Sequence, residues 1–371
     1  MVSHMPSSVS RAMNARGPKQ ASHAFGRRQA ANPLRRFPAI SSGMACACVA
    51  ASRRSVRSAS SEPREVEVWS FNLRTEKAKE ADAANSWAQR RDEVALFISK
   101  YSPAIVCAQE ATGAMLSHLS DKLGGRYAWK GTSRKLEVED ECAGFLFDAE
   151  QVELESHGCF WLAPPGTPKG RPGWDAKLPR TCETAVFRML SQPELKLRVL
   201  NTHFDHQGVQ ARQESAALLK DDILSFAASD PGCPQILCGD FNSAKSSVQY
   251  AILTEPSGET AMQDALRRVP PDGLDTAGVV STIHKWQGVS FTEEKGDGTV
   301  DLSDDSAFDS RHIDWILWLD SSPHAVESTV LDPLSCRVLT DTLPSGRYPS
   351  DHFPLSATFA VNSLSNVPSR L

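Results

Sequence analysis

Hydrophobic and polar positions along the chain trade places with a period that shifts repeatedly between that of a strand and that of a helix. In "EVEVWSFN", Val66, Val68 and Ser70 alternate with Glu67, Trp69 and Phe71, which predicts a strand ending at Asn72. The pattern then lengthens. Trp87, Val94, Phe97, Ile98 and Tyr101 share one side of a helix that starts near Ser86, a residue suited to an N-cap, and stops before Pro103. "AIVCAQE" is a short apolar run of the kind that forms a buried strand, ending at Glu110, and "AGFLFD" and "TAVFRML" predict two more strands. Between these two, the Pro- and Gly-rich "LAPPGTPKGRPGW" predicts a loop. "LKLRVLNTHFD" runs out of a strand into His203 and Asp205, and a helix lined by Val209, Ala216, Leu219, Ile223 and Phe226 follows. "PQILCGDFNS" is a further buried strand, ending at Asp240 and Asn242; "HIDWILWL" and "YPSDHFPLSATF" close the series. Strands interleaved with helices predict an α/β or α+β class in which helices cover the strands. With no internal repeat and no sign of a second core, a single domain over 62–361, followed by a tail at 362–371, is the economical reading.

Composition separates the first residues from the rest. Met1 to Ser61 holds no Asp or Glu, yet carries ten Lys and Arg among many Ser and Ala. Removing those ten from the total of 40 leaves 30 cations against 45 acids, so the remainder carries about −15 rather than the −5 of the whole chain. A basic, acid-free leader over 1–61 fits an organelle transit peptide, with chloroplast and mitochondrion both open, or a basic nucleic-acid-binding arm in a protein that stays in the cytoplasm. Its abrupt end at Glu62 favours the transit reading. No apolar run approaches the ~20 residues of a membrane helix, so a soluble protein with no membrane contact is expected. The nine cysteines include Cys46 and Cys48 in the leader; the others are scattered without zinc spacing and read as free, buried thiols.

Six strands carry a polar group at or beside one end: Asn72, Glu110, His203 with Asp205, Asp240 with Asn242, Asp314, and Asp351 with His352. Each has a plain explanation alone, as a turn residue or a structural histidine. Together they point to one site, because strand ends gathered on one side of a sheet are where sites are built. Carboxylate and carboxamide oxygens without a thiolate suit a hard divalent ion, Mg²⁺ or Mn²⁺. Beside such an ion an Asp can orient or deprotonate a water, and a His can donate to a phosphate oxygen as charge grows.

The stretches "SFNLR", "CAQE", "NTHFDHQG", "CGDFNS", "HIDWIL" and "YPSDHFPL", in this order over about 66–360, resemble the endonuclease/exonuclease/phosphatase superfamily, the fold of deoxyribonuclease I. "GWDAKLPRTC" and "STIHKWQG" are similar to its bacterial-type generic subgroup. The resemblance implies a four-layer α/β/β/α sandwich of two packed mixed β-sheets. It implies Asn72, Glu110 and Asp351 around the metal, Asp240 at the attacking water, Asn242 holding phosphate, His203 and His352 stabilising the transition state, and Asp314 orienting His352. Asp205 belongs to the same pattern with a less defined role. Arg180 fits a phosphate contact or a structural ion pair equally well. His284 lies on a stretch able to close over substrate, although a surface histidine is the simpler reading, and Arg90 and Arg91 read as structural or solvated. "DGTVDLSDDS" is not an EF-hand, since Leu302 stands where the calcium loop needs Gly. The expected activity is a metal-dependent phosphoesterase acting on phosphodiesters of nucleic acid or nucleotides. The alternative is a phosphatase of a sugar or inositol phosphate, and a catalytically dead binding protein is the remaining reading. A monomer with no obligate protein partner is expected.

Overall fold

The computed structural model describes residues 65–256, 260–276, 279, 281–291, 312–322, 325 and 328–363. The leader expected at 1–61, the acidic stretch containing Leu302 and most of the expected tail lie outside the described residues. Among the described residues, thirteen strands form two sheets. The seven-stranded sheet holds β1 (Glu65–Asn72), β2 (Ile105–Ala111), β3 (Tyr127–Lys130), β4 (Cys142–Asp148), β10 (Leu274–Asp275), β12 (Thr329–Val338) and β13 (Leu355–Ser363), in the order β10-β12-β13-β1-β2-β4-β3. The six-stranded sheet holds β5 (Val152–Trp161), β6 (Thr181–Met189), β7 (Gln192–His203), β8 (Gln235–Asp240), β9 (Gln263–Asp264) and β11 (Asp314–Leu319), in the order β5-β6-β7-β8-β11-β9. Both sheets are mixed: β1 and β2 run parallel, as do β7 and β8, while β13 and β11 pair antiparallel beside them.

Three apolar layers hold the sandwich together. Val66, Val68, Ile105, Phe145, Phe187, Leu197, Ile236, Ile316 and Phe359 fill the space between the sheets. On the outer face of the first sheet, Trp69, Phe71 and Val106 meet Val94, Phe97 and Ile98 of α1 (Trp87–Tyr101) and Met115 and Leu119 of α2 (Gly113–Lys122). On the outer face of the second, Leu200, Leu237 and Leu317 meet Leu219 and Ile223 of α3 (Val209–Ser229) and Leu253 of α4 (Val248–Thr254). The alternation in β1 is therefore buried on both sides, one set of side chains facing the other sheet and one facing a helix. This is the four-layer α/β/β/α arrangement that the sequence implied.

Ser86 is the N-cap of α1, as expected, and it caps through its carbonyl, with no bond from its hydroxyl. One local expectation needs correcting. Val209 does not belong to the apolar stripe of α3, being 54% exposed. The first turn of that helix is satisfied from a distance instead: Asp175, in the "GWDAK" segment, accepts from the Ala211 and Gln210 amides at 2.7 and 3.2 Å. The described cysteines are unpaired, and all but Cys159 are buried.

Candidate active site

Strand direction gathers the polar residues. The C-terminal ends of the parallel pairs β1/β2 and β7/β8 lie at one edge of the sandwich, and the antiparallel β11 and β13 begin at that same edge. Asn72 ends β1, His203 ends β7, Asp240 ends β8, Asp314 opens β11, and Asp351 and His352 lie just before β13. In the second sheet the register places His203 opposite Asp240, and Asp240 opposite Asp314, in one cross-strand row. Gly239 makes this row possible, since a Cβ there would stand 2.6 Å from the Thr202 carbonyl oxygen. Phe241 stacks on Trp315 at 4.1 Å and packs edge-on against Phe204, a rigid apolar backing beneath the row.

In β2 a register shift between Ala108 and Ala111 re-aims Glu110, whose φ of 54° is left-handed. Asn242 has φ 46° and shares that strained region. A buried amide pair ties the sheets together below the edge: Gln109 Nε2 donates to Asn201 Oδ1 at 2.7 Å, and Asn201 Nδ2 donates to the Gly144 and Ala108 carbonyls.

The side chains converge on a cleft of about 470 Å³ lined by Glu110, His203, Asp240, Asn242, Asp351 and His352, together with Arg74, Arg134, Glu141 and Arg180. Asn72 Nδ2 donates to Asp240 Oδ2 at 3.0 Å and to Glu110 Oε1 at 3.2 Å, so one carboxamide bridges the two sheets. The Thr75 amide donates to the other Glu110 oxygen at 3.1 Å. Burial alone would raise the Glu110 carboxyl, but that amide, Asn72, His352 and Arg74 outweigh it and hold the group below its ordinary value. Asp351 goes the other way. Burial, with Glu110 and Glu80 nearby, raises it despite His352 and Arg74.

His352 Nδ1 lies 3.0 Å from Asp314 Oδ2, and its Nε2 lies 3.9 Å from Asp240 Oδ2. Burial disfavours the imidazolium, yet Asp314, Asp240 and Asp351 prevail and lift His352 to about 10. It is a buried cation that offsets two like charges set side by side. Asp240 is raised by burial and by Asp314, as a proton acceptor near neutrality should be. His203 is held well below its usual value by burial and by Arg180 and Arg134, so its ring is neutral. Asn242 Nδ2 donates to His203 Nε2 at 3.1 Å and to the Phe204 carbonyl at 3.0 Å, which assigns the His203 proton to Nδ1.

The oxygen donors of Asn72, Glu110 and Asp351 fit a hard divalent ion. A second group, Asp240, Asp314 and His352, has ligand atoms within 4.8 Å of one another. In this group His352 Nδ1 faces Asp314 and its Nε2 turns towards Asp240.

Three expected substrate contacts separate here. Arg180 lines the cleft, 3.6 Å from Asp205 and 3.3 Å from His206 Nδ1. Asp205 does not line it: its carboxylate accepts from the Leu178, Gln207 and Gly208 amides and fixes the turn into α3. His284 is no surface residue. It is fully buried against Phe353 and Tyr348, its Nδ1 accepts from the Gly288 amide, and its own amide donates to the Asp351 carbonyl. That stretch supports the Asp351–His352 segment from behind.

Other residues also shape the site, among them Arg74, which the sequence reading passed over, and Arg90, which it took as structural or solvated. Arg74 Nε sits 2.8 Å from Glu80 and 3.6 Å from Asp351, beside the carboxylates. Arg90 is buried between Trp87 and Trp286 and donates to the Asn85, Pro349 and Arg74 carbonyls, tying the chain after Asn72 to the chain before Asp351. Arg74 stood in plain view two residues after Asn72. Arg134 and Glu141 gave no comparable signal.

Residues 69–352 match the profile of the Endonuclease/Exonuclease/phosphatase family. The chain belongs to this family. Its members and structural relatives are phosphoesterases, and so is this protein at that level of description. An endonuclease/exonuclease/phosphatase family protein from Bacteroides thetaiotaomicron is 27% identical, with a TM-score of 0.65 over 82% of this chain and 100% of that one. A mannosyl-6-phosphatase from the same organism is 26% identical, with a TM-score of 0.63 over 81% of this chain and 99% of that one. The human Nocturnin catalytic domain, 19% identical with a TM-score of 0.55 over 81% and 96%, shares the fold. No curated protein in the comparison matches significantly. No helix among the described residues is long and apolar enough to cross a membrane.

Proposed function

We propose that the protein is a Mg²⁺- or Mn²⁺-dependent phosphatase of a small phosphorylated polyol. The observation that carries this reading is the cleft. At about 470 Å³ it has the size of a small-molecule pocket, and its walls are polar groups locked in place. The mannosyl-6-phosphatase likeness over nearly the full length of that relative supports the same reading.

Asn72, Glu110 and Asp351 would hold the ion, which supplies charge neutralisation at the phosphoryl oxygens. The roles of the other residues follow from their hydrogen bonds. Asp240, with its raised proton affinity and its position fixed by Asn72 and the Asn242 amide, takes the proton of the attacking water. His352, kept charged and oriented by Asp314, donates to a phosphoryl oxygen as negative charge builds in displacement. Asn242 holds His203, and a bound phosphate dianion would oppose the two arginines and return proton affinity to that ring. Arg180 offers a fork to the phosphoryl group or to the atoms next to it. The acid-free leader supports import into an organelle, with the catalytic domain beginning near Glu62.

The test is turnover of hexose monophosphates, inositol phosphates, bis-p-nitrophenyl phosphate, RNA and single-stranded DNA in Mg²⁺ and in EDTA. EDTA-sensitive phosphate release from the monoesters is expected. Cleavage of polynucleotide with no monoester turnover would return the protein to the phosphodiester reading that its strand-end motifs also allow.

A further inference from the structure

The wall of the cleft next to His203 is built from Arg134, Glu141 and Arg180, and of these the roles above use Arg180 alone. The connection between β3 and β4, residues 131–141, folds back on itself so that the Arg134 amide donates to the Glu141 carbonyl at 2.9 Å. Trp161 Nε1 donates to the Arg134 carbonyl at 2.8 Å and pins this segment to β5. The Arg134 side chain is 8% exposed, with Nη1 2.6 Å from Glu141 Oε2 and Nη2 3.4 Å from Asp140. Arg180, directly before β6, is 5% exposed. Arg134, Glu141 and Arg180 all line the cleft, and with His203 they also line a neighbouring void of about 10 Å³, room for about one water. The Nε groups of both arginines are buried without a hydrogen-bond partner. A buried donor without an acceptor is costly; Arg134 Nε is in that state, while Arg180 Nε has the Asp205 carboxylate 3.6 Å away.

Charge bookkeeping narrows the class of acceptor. Arg134 is matched by Glu141 and Asp140, and Arg180 by Asp205. Lys77 and Lys135 both lean on Asp140, at 3.7 and 2.8 Å, and the Lys77 ammonium also donates to the Glu139 carbonyl. A second phosphate would bring about two negative charges to a wall whose guanidiniums already face carboxylates, and Glu141 would repel it. Hydroxyl groups suit the wall better, because each both donates and accepts: a carboxylate takes the donated proton while a guanidinium beside it fills the lone pairs. Alternating Arg, Glu and Arg supplies that pattern for neighbouring hydroxyls.

We propose that Arg134, Glu141 and Arg180 form the subsite that recognises the hydroxyl groups of the phosphorylated polyol and set specificity for the leaving group. This rests on the phosphatase reading above. In that arrangement the phosphoryl group lies among Asp351, His352 and Asn242, and the polyol hydroxyls meet the arginine–glutamate wall.

The experiment compares kcat/KM for a hexose monophosphate with that for p-nitrophenyl phosphate, which carries the same phosphoryl group and no hydroxyls. It uses the full chain in Mg²⁺, as wild type, Glu141→Gln and Arg134→Lys. The selectivity ratio should fall roughly tenfold or more in Glu141→Gln, mainly through KM, since a site built to hydrogen-bond hydroxyls discriminates by those bonds. Arg134→Lys keeps the charge, loses the planar fork, and should move the ratio the same way. Thermal unfolding checks that both variants are folded. An unchanged ratio in the two folded variants would overturn the subsite, as would an equal fall on both substrates. Wild-type protein that hydrolyses neither monoester while cutting a diester would defeat the phosphatase reading itself, and the subsite with it.

Discussion

At the cleft the seven-stranded sheet presents Asn72, Glu110 and Asp351 around the Arg74 guanidinium, whereas the six-stranded sheet presents His203, Asp240 and Asp314 in one cross-strand row. The first group gathers negative charge on oxygen, balanced inside the protein by Arg74 and by backbone amides. The second is a row in which each side chain is oriented by a partner outside it: His203 by Asn242, Asp240 by Asn72 and Asp314 by His352. Two side chains of the first sheet cross between them: Asn72 to Asp240, and His352 to Asp314. On the proposed reading, the contrast separates ion binding from proton transfer. Each sheet lends the edge where its parallel pair ends and its antiparallel neighbour begins, and Asp351 and His352, adjacent before β13, bring one member of each group onto the same segment.

The largest effect expected from disturbing this division is at Asp240. Asp240→Asn keeps the size of the side chain and removes the acceptor, so kcat should fall about 10²- to 10⁴-fold while the fold persists. Steady-state kinetics beside thermal unfolding would check both halves; near-normal turnover would erase the distinction between the two groups.

A smaller and more specific change is expected in Asp314→Asn. His352 stands at about 10 because Asp314, above all, outweighs the burial that would lower it. Without that carboxylate the burial remains and the imidazolium loses its proton at lower pH. The alkaline limb of the pH–rate profile should therefore move down towards neutrality, with activity best preserved on the acid side. A limb that stays in place would mean that His352 is not the charged donor.

Much of this was legible because strand ends are legible. A run such as "QILCGD" shows both that it is buried and where it stops, and β-strand polarity does the rest. Harder to see was anything whose meaning depends on a partner far along the chain. Arg134 and Glu141 lie in a polar turn that looks solvated until it is folded over the cleft. His284 reads as a surface histidine from its neighbours, yet Tyr348 and Phe353 come from another segment to cover it. Asp205 sits in a motif full of catalytic-looking residues and spends its oxygens on three amides. Arg90, read as structural or solvated, is the buried one of its pair and anchors two segments of the site. In each case residue type gave the available chemistry, and burial by a distant segment decided how it was used.

The division between the two sheets is tested most directly by Mn²⁺ binding, followed by electron paramagnetic resonance, to wild type, Glu110→Gln and Asp240→Asn. If the first sheet holds the ion, Glu110→Gln should weaken binding on the order of tenfold or more, and Asp240→Asn should weaken it much less. The reverse order would place the ion among Asp240, Asp314 and His352 and contradict the account.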